Sequence, residues 1–273
     1  ILSPIEQSIK RKIEAVGTPL KDWDINIYRG ILTGYNEAFI INGETKDRLI
    51  KEDAKSAEII RPILRGRDIQ RYGYDFADLW LINTHNGIKE KGIKPVNIKD
   101  YPAIKKHLDG FWKDIEKRAD QGDTPYNLRN CAYMDDFSKQ KIMYPNMTKF
   151  LPFYLDDKGF MQNDKSFMIT GKNVAFLTAF LNSSIFKYCF IDNFPELQGG
   201  TRELRKIFIE KIPVLKVSEK TNKEFEKLVI KLQDSIANKK PTTELEMKID
   251  EMIFDLYALT KEERKTIGFV EIH

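Results

Sequence analysis

The sequence predicts an α+β fold that opens with a helix and closes with an antiparallel pair of helices. Residues 3–6 carry a capping-box pattern, and apolar residues then recur at helical spacing up to Val16. Short β-branched and aromatic runs between residues 25 and 170 are typical of strands. After Ser218 aromatic residues become scarce and helix formers dominate, which predicts the helical end of the chain.

The first hundred residues predict short elements joined by turns. Gly17 and Pro19 end the first helix, and Asn42-Gly43 interrupts an apolar run that follows a turn at Gly34. In order, the patterns predict a helix up to Val16, a strand over 25–32, an apolar run ending at Ile41, a helix over 45–52, a brief turn over 56–60 and a strand over 79–83.

The middle of the chain predicts one long helix, several strands and two buried helices. The long helix begins at Tyr101-Pro102 and ends near Gly122. The turn 156–159, between two apolar runs, is typical of a β-hairpin. The other patterns predict a polar loop over 124–130, strands over 137–144, 150–155 and 167–170, and helices over 174–181 and 185–191.

The C-terminal region predicts two amphipathic helices. Apolar residues from Phe225 to Ile236 form one face, and a turn follows at residues 238–241. Thr243 and Glu246 form a second capping-box pattern before another apolar face. Two helices of this length joined by a short turn are expected to fold back on each other as an antiparallel pair.

The composition is typical of a soluble globular protein, with 41% hydrophobic and 32% charged residues. No apolar run approaches the roughly 20 residues that cross a bilayer, and no signal peptide is apparent, so we expect a cytoplasmic protein without a membrane partner. Two cysteines, Cys131 and Cys189, exclude a cysteine-based zinc site and give no support to a disulfide framework. The net charge of +4 permits nucleic-acid binding without requiring it.

Residues 61–72 concentrate four arginines around a single acid, Asp68. The arginines are Arg61, Arg65, Arg67 and Arg71. A guanidinium group forms paired hydrogen bonds with phosphate or a guanine edge, and Gly66 allows a tight turn between two of them. The segment therefore predicts an anion-binding site in which Asp68 orients a neighbouring arginine. The alternative is a charged turn whose arginines pair with Glu58, Asp68 and Asp75.

Two further basic segments also suit binding to a polyanion. Lys141 and Lys149 lie on a predicted hairpin, and a basic hairpin can enter a major groove. Arg202 and Arg205 follow Gly199-Gly200 in a loop that can follow a phosphate backbone. The alternative for the hairpin is a strand pair with lysines on its solvated side.

Catalytic patterns are weak. The chain has no glycine-rich turn of the kind that binds S-adenosylmethionine, and no Asn-Pro-Pro-aromatic loop, because no two prolines are adjacent. Residues 44–46 and 53–55 have the Asp/Glu-x-Lys spacing of metal-dependent nucleases, but a chain this charged produces that spacing by chance. His85 is interpreted as a loop histidine in ordinary hydrogen bonds.

Four segments carry a family resemblance. Residues 33–39 (TGYNEAF), 64–69 (LRGRDI), 124–129 (TPYNLR) and 163–169 (NDKSFMI) resemble, in this order, the C-terminal part of type IIG restriction-modification enzymes. In that family an adenine methyltransferase domain precedes a TaqI-like C-terminal specificity domain. The resemblance is most specific over residues 25–214, and it implies a mixed-sheet DNA target recognition domain.

The resemblance implies that this chain recognises double-stranded DNA while other domains of the same polypeptide act on it. It implies a non-catalytic fragment that needs no cofactor. The parent enzyme is expected to methylate adenine with S-adenosylmethionine and to cleave DNA with Mg²⁺. The candidate DNA contacts are Arg65, Arg67, Arg71, Lys141, Lys149, Arg202 and Arg205.

The expected organisation is a connecting helix over residues 1–20, the recognition domain over 21–216 and a helical region over 217–273. Two other functional classes stay open at this point. The chain is alternatively an interaction module that docks a partner through its helices, as in type I specificity subunits, or a nuclease domain with an unrecognised set of catalytic residues.

Overall fold

The computed structural model describes residues 2–149 and 151–269. The α-helices of this part of the chain are α1 (Pro4–Val16), α2 (Asn36–Phe39), α3 (Gly43–Glu52), α4 (Pro102–Asp109), α5 (Trp112–Ile115), α6 (Val174–Leu181), α7 (Ser184–Phe190), α8 (Lys206–Ile209), α9 (Glu219–Ala237), α10 (Thr243–Leu256) and α11 (Lys261–Ile267). The strands are β1 (Gly17–Pro19), β2 (Ile25–Arg29), β3 (Ile40–Asn42), β4 (Ile60–Leu64), β5 (Ile69–Gln70), β6 (Gly73–Tyr74), β7 (Leu79–Ile82), β8 (Lys141–Pro145), β9 (Met147–Thr148), β10 (Tyr154–Asp156), β11 (Met161–Gln162), β12 (Ser166–Gly171), β13 (Arg202–Glu203) and β14 (Pro213–Leu215).

The N-terminal helix α1 begins at the predicted cap. The Ser3 hydroxyl accepts a hydrogen bond from the Glu6 amide, and the Glu6 carboxylate accepts one from the Ser3 amide at 2.7 Å. Ile9 and Ile13 on one face of the helix are buried. These contacts confirm both the predicted helix start and its buried face.

An antiparallel sheet with the strand order β10-β8-β12-β2 forms one half of the protein. Ile169 in its third strand lies opposite Ile142 on one side and Ile27 on the other. Helix α6, whose residues are all buried, packs against the sheet. The apolar segment 174–181 thus fills the core between this sheet and the C-terminal helices, as its uniform hydrophobicity predicts.

A second sheet, with the order β11-β4-β7-β3, is mixed. Strands β11 and β4 run parallel, with Met161 opposite Ile63, while the other neighbours are antiparallel. Helices α3 and α4 pack together beside this sheet and bury Leu49, Ile104 and Leu108. The α+β prediction with a mixed sheet is therefore confirmed.

The C-terminal helices α9 and α10 form the predicted antiparallel pair. At one end, Ile236 of α9 lies beside Gly73, and Glu246 of α10 pairs with Arg71. At the other end, the Tyr257 hydroxyl accepts a hydrogen bond from the Leu215 amide, shortly before α9 begins. A further short helix, α11, contacts α1 and was not predicted.

Several sequence predictions are wrong in detail. The long helix predicted from Tyr101 divides into α4 and α5 at Gly110-Phe111. The strand predicted over 137–144 begins only at Lys141. The cap of α10 lies at Thr242 instead of Thr243, and its hydroxyl donates to the Glu246 carboxylate at 2.7 Å.

The predicted hairpin around the turn 156–159 is also wrong. Strand β10 before the turn pairs with β8, whereas β11 after it pairs with β4 in the other sheet. The turn therefore carries the chain from one sheet to the other. Only pairing with a strand almost 100 residues away distinguishes this arrangement from a hairpin.

No single helix among the described residues has both the length and the apolar character needed to cross a membrane. The segments 174–181 and 184–193 meet those criteria only as a pair, bent by 65°.

Candidate nucleic-acid interface

The predicted anion-binding segment is a tight turn after β4. The Arg65 guanidinium donates two hydrogen bonds to the Asp68 carboxylate, at 2.9 and 2.7 Å, and the Arg65 amide donates a third at 2.8 Å. These hydrogen bonds raise the pKa of Arg65. Asp68 therefore fixes the Arg65 side chain, a contact that both the orienting role and the charged-turn alternative predict, and Arg67 is left exposed in the turn.

Gly66 lies against the turn between β11 and β12. Its amide donates to the Asn163 side-chain oxygen at 3.1 Å. A Cβ atom at Gly66 would lie only 2.6 Å from the Lys165 carbonyl oxygen, so a larger residue would push the two turns apart. Two segments that carry the family resemblance, residues 64–69 and 163–169, therefore meet at this glycine.

Asp164 in the same turn collects two basic side chains. Arg29, at the end of β2, donates from Nη2 to its carboxylate at 3.4 Å and from Nε to its carbonyl oxygen at 2.8 Å. The Lys165 ammonium lies 3.4 Å from the same carboxylate. Both cations stay largely exposed, whereas Asp164 is mostly covered. The turn thus presents positive charge to solvent.

A ribbon of short strands continues from this turn. We use the term ribbon for residues 146–149 and 195–203. The Asn146 amide donates to the Lys165 carbonyl at 2.9 Å, and the Asn146 carbonyl accepts from the Leu204 amide at 2.8 Å. Within the ribbon, Thr148 lies opposite Arg202. The predicted hairpin near Lys149 and the glycine loop near Arg202 are therefore neighbours.

Lys149, in the ribbon, and Arg205, next to it, are exposed cations. A Cβ atom at Gly199, in the tip of the ribbon, would lie 3.9 Å from the Lys149 ammonium. The Arg205 guanidinium bonds the Glu203 carboxylate at 2.7 Å and remains exposed. For Lys149 and Arg67, no side-chain ion pair or hydrogen bond occurs within residues 2–149 and 151–269.

We define the basic strip by the exposed cations that these contacts bring together. Its members are Arg29, Arg67, Lys149, Lys165 and Arg205. Two carboxylates, Asp164 and Glu203, pair with members of the strip and leave a surplus of positive charge. Such a surface attracts a polyanion, because each cation that contacts the polyanion releases a counterion that was bound to it.

Arg202 is engaged by neighbouring groups of the protein, and its side chain is 20% exposed. Its guanidinium donates to the Phe194 carbonyl at 3.0 Å and pairs with Asp192 at 3.1 Å and Glu196 at 3.0 Å. Two carboxylates and a carbonyl oxygen bind the one guanidinium group. These contacts fix the side chain across the base of the ribbon. Its geometry is that of a residue that holds the ribbon in shape.

Lys141 and Arg71 do not belong to the basic strip. The Lys141 side chain is 0% exposed and pairs with Asp156, so the prediction that it contacts DNA is wrong. Arg71 is 12% exposed, pairs with Glu246 and donates to the Asn182 carbonyl at 2.8 Å. Its guanidinium connects the segment 69–74 to helix α10. Because these contacts engage both terminal guanidinium nitrogens, few hydrogen-bond donors remain for a ligand.

Arg29 and Lys165 belong to the strip but were missed in the sequence. Neither stands in a cluster of basic residues, and the pairing of β2 with β12 brings them together. A signal existed for Lys165, since it lies within the segment 163–169 that carries the family resemblance. For Arg29 the sequence offers no comparable signal.

The other two resemblance segments meet around a buried arginine. Arg118 donates to the carbonyl oxygens of Thr33, Asp120, Pro125 and Asn127. Its guanidinium lies 4.4 Å from the centre of the Phe39 ring. Burial lowers its pKa to about 10, partly offset by Asp120, so the side chain is still charged at neutral pH. Arg118 thus joins segments 33–39 and 124–129 from inside the protein.

Candidates for catalysis gain no support from the described residues. Among them, no group of three or more His, Cys, Asp or Glu residues is arranged to hold a metal ion. His85 accepts a hydrogen bond from the Gly87 amide at 3.0 Å, and burial lowers its pKa. Lys46, in one of the nuclease-like spacings, pairs with Asp47 and lies over the Trp80 ring.

Solved structures with a similar fold include two restriction enzymes. The type IIL restriction-modification enzyme MmeI, solved in complex with DNA, superposes with a TM-score of 0.66 at 13% identity, covering 92% of this chain and 35% of that chain. The type IIG restriction endonuclease BpuSI gives a TM-score of 0.55 at 15% identity, covering 94% and 34%. The chain therefore spans about a third of the length of each.

Comparison with curated proteins found no significant match. The family model described as the TaqI-like C-terminal specificity domain matches residues 61–214. This range runs from β4 to β14 and includes every member of the basic strip except Arg29. Because the match extends over more than half of the sequence, the chain belongs to the family of TaqI-like C-terminal specificity domains.

Proposed function

We propose that this specificity domain binds double-stranded DNA along the basic strip and recognises a base sequence in the major groove. The observation that carries the proposal is the convergence of five exposed cations from five separated segments, on a protein whose net charge is only +4. Membership of a specificity-domain family supports it. The similarity in fold to MmeI, which was solved in complex with DNA, adds further support.

The wider role we propose is a division of labour within a restriction-modification enzyme. The specificity domain positions the duplex, and a methyltransferase domain of the same polypeptide flips an adenine and methylates its N6 atom. Transfer of the methyl group requires S-adenosylmethionine, and cleavage by a further domain requires Mg²⁺. These activities are assigned to parts of the enzyme outside this chain.

Within the strip we assign different roles to Arg67 and Lys149. Arg67 lies in the turn that Arg65, Asp68 and Gly66 hold in place, so its exposed guanidinium suits a bidentate contact with a guanine edge. Lys149 presents a single ammonium group beside the glycine tip, which suits a phosphate. Lys165, which also presents a single ammonium group, is assigned to a phosphate. Arg205 is assigned to a phosphate because Glu203 already engages part of its guanidinium, and Arg202 is assigned to positioning of the ribbon.

The proposal is tested by the salt dependence of DNA binding. The chain is titrated with a randomised duplex at several salt concentrations, and its preferred sequence is selected from the same library at low salt. We expect affinity to fall steeply as the salt concentration rises. Lys149→Ala should reduce the slope of log binding constant against log salt concentration by about one unit on every sequence. Affinity that does not change with salt contradicts the proposal.

Arg67 requires two variants to separate charge from hydrogen-bond geometry. Arg67→Ala should cost about 1–3 kcal/mol of discrimination at one base pair. Arg67→Lys keeps the charge and therefore the salt slope, but it should lose the same discrimination because an ammonium group cannot form the paired contact. Lys223→Ala, on the exposed side of α9, serves as the control and should change neither quantity.

A further inference from the structure

The two faces of the ribbon have different chemical character. In an antiparallel pair, side chains of directly opposite residues point to the same face, and neighbours along a strand alternate. Arg202 lies opposite both Thr148 and Glu196, and these residues share one face. Met147, opposite Glu203, lies on the other face.

Leu197 lies on the same face as Met147. Its backbone is extended, and its amide donates to the Thr201 carbonyl, so it continues the alternation from Glu196. Met147 is 56% exposed and Leu197 41% exposed. One face of the ribbon therefore carries the salt-bridged Arg202, and the other presents two large apolar side chains to solvent.

The charges around this apolar face favour a polyanion as its occupant. Lys149 follows Met147 closely along the chain and lies beside the glycine tip, and Arg205 stands over Glu203, the residue opposite Met147. Glu203 also lies on this face, and its charge is matched by Arg205. The acidic residues Asp192 and Glu196 are engaged by Arg202 on the other side.

We propose that Met147 and Leu197 contact the 5-methyl groups of thymines in the major groove. The inference rests on the proposed function. The thymine methyl is the apolar group among the hydrogen-bonding base edges of the major groove, and the groove is wide enough for a β-ribbon. An apolar side chain on a ribbon entering this groove is therefore complementary to thymine and to no other base edge.

The proposal deepens the specificity assigned to the domain. Arg67 and the apolar pair recognise different bases, one by paired hydrogen bonds and the other by exclusion of water from a methyl group. The apolar contact discriminates thymine from cytosine, whose edge presents an amino group and no methyl. It also separates thymine from uracil, which differs from it by the methyl group alone.

The test uses duplexes in which each thymine of the selected sequence is replaced, one at a time, by deoxyuridine. We expect the chain to lose about fourfold in affinity at one or two positions, the effect of about 0.8 kcal/mol for one buried methyl group. In Met147→Ala the loss should disappear at one of these positions, and in Leu197→Ala at another. Met147→Leu should keep it, because an apolar side chain remains.

Met247→Ala is the matched control, since this methionine is 49% exposed on α10, outside the ribbon. In this variant, every loss of affinity that deoxyuridine causes should remain. The proposal is overturned if no uracil substitution weakens binding, or if the losses persist in both ribbon variants. It is also overturned if the ribbon variants weaken binding to all duplexes equally, as expected for a DNA contact that does not depend on the base. Unchanged binding in both variants, with every uracil loss retained, is the outcome expected for a protein-docking face and overturns it as well. Failure of the proposed function would look different: binding would then show no salt dependence or sequence preference at all.

Discussion

Lys141 and Asp156 form an ion pair in which both side chains are 0% exposed, with 2.5 Å between Nζ and Oδ2. They lie opposite each other on β8 and β10. Lys141 also donates to the Phe137 carbonyl at 2.6 Å, and Asp156 accepts from the amides of Lys158 and Phe160. Burial lowers the pKa of Lys141, and the Asp156 charge opposes that shift.

We predict that Lys141→Met destabilises the protein by about 3–5 kcal/mol, because it leaves the Asp156 carboxylate buried without its counter-charge. Urea denaturation followed by circular dichroism measures this loss. Lys105→Ala, which removes one partner of an exposed helical pair with Asp109, should cost less than about 1 kcal/mol. A Lys141→Met protein as stable as the Lys105→Ala protein would show that the buried pair contributes little.

Glu263 links α11 to α1 and predicts a pH dependence of stability. Its burial tends to raise the pKa, but hydrogen bonds from Lys12, Ser8 and the Thr260 amide outweigh this effect and lower the pKa to about 2. A carboxyl group whose folded pKa lies below its unfolded value of 4.5 stabilises the protein above pH 4.5 and loses that contribution as the pH falls towards 2.

We therefore expect Glu263→Gln to be less stable than the wild type by about 3 kcal/mol at pH 6. The difference should shrink continuously between pH 4.5 and pH 2, as measured by denaturant unfolding at each pH. Glu14→Gln is the control, because this glutamate lies on the exposed side of α1 in a loose pair with Lys10. A difference that stays constant over this range would contradict the linkage.

Arg118 should be essential for stability without any role in DNA contact. Arg118→Lys retains a positive charge but replaces a planar group that reaches four carbonyl oxygens with a single ammonium group. We expect a loss of about 3 kcal/mol or more, since several buried carbonyls lose a charged donor. Hydrogen exchange should show loosening in segments 33–36 and 124–127 in particular. Arg129→Ala, in an exposed pair with Asp120, should leave both segments protected.

Arg71 provides a direct test of whether an arginine of the predicted cluster contacts a ligand or holds the fold. Since it pairs with Glu246 and bonds the Asn182 carbonyl, Arg71→Ala should lower the melting temperature. DNA affinity of the folded fraction, and its salt slope, should stay at the wild-type values. A reduced slope with unchanged stability would instead place Arg71 among the phosphate contacts.

Elements with local signals were predictable from the sequence. The Ser3 cap, the amphipathic C-terminal helices and the apolar helix at residues 174–181 are all found where local patterns place them. The false hairpin at residues 156–159 has a different origin. Its two flanking strands look alike locally, and their partners lie in two different sheets.

The candidate interface was predictable only in part, because local patterns do not show which distant segments pair. The arginine turn and the glycine loop are visible as local clusters of charge. Burial is not visible in this way, so Lys141, a lysine in a polar-looking strand, was assigned to the surface although Asp156 neutralises it in the core. Arg29 joins the strip because β2 pairs with a strand some 140 residues later.

The basic strip draws its members from segments that begin at Arg29 and end at Arg205. Each segment is held by buried neighbours from another part of the chain, as Gly66 is by Asn163 and Asn146 is by Leu204. Exchange of one continuous segment between relatives would therefore transplant only a fraction of the recognition surface, onto a support that no longer matches it. A new target sequence is more accessible through single changes at exposed positions such as Arg67 or Met147, whose replacement leaves the supporting contacts in place.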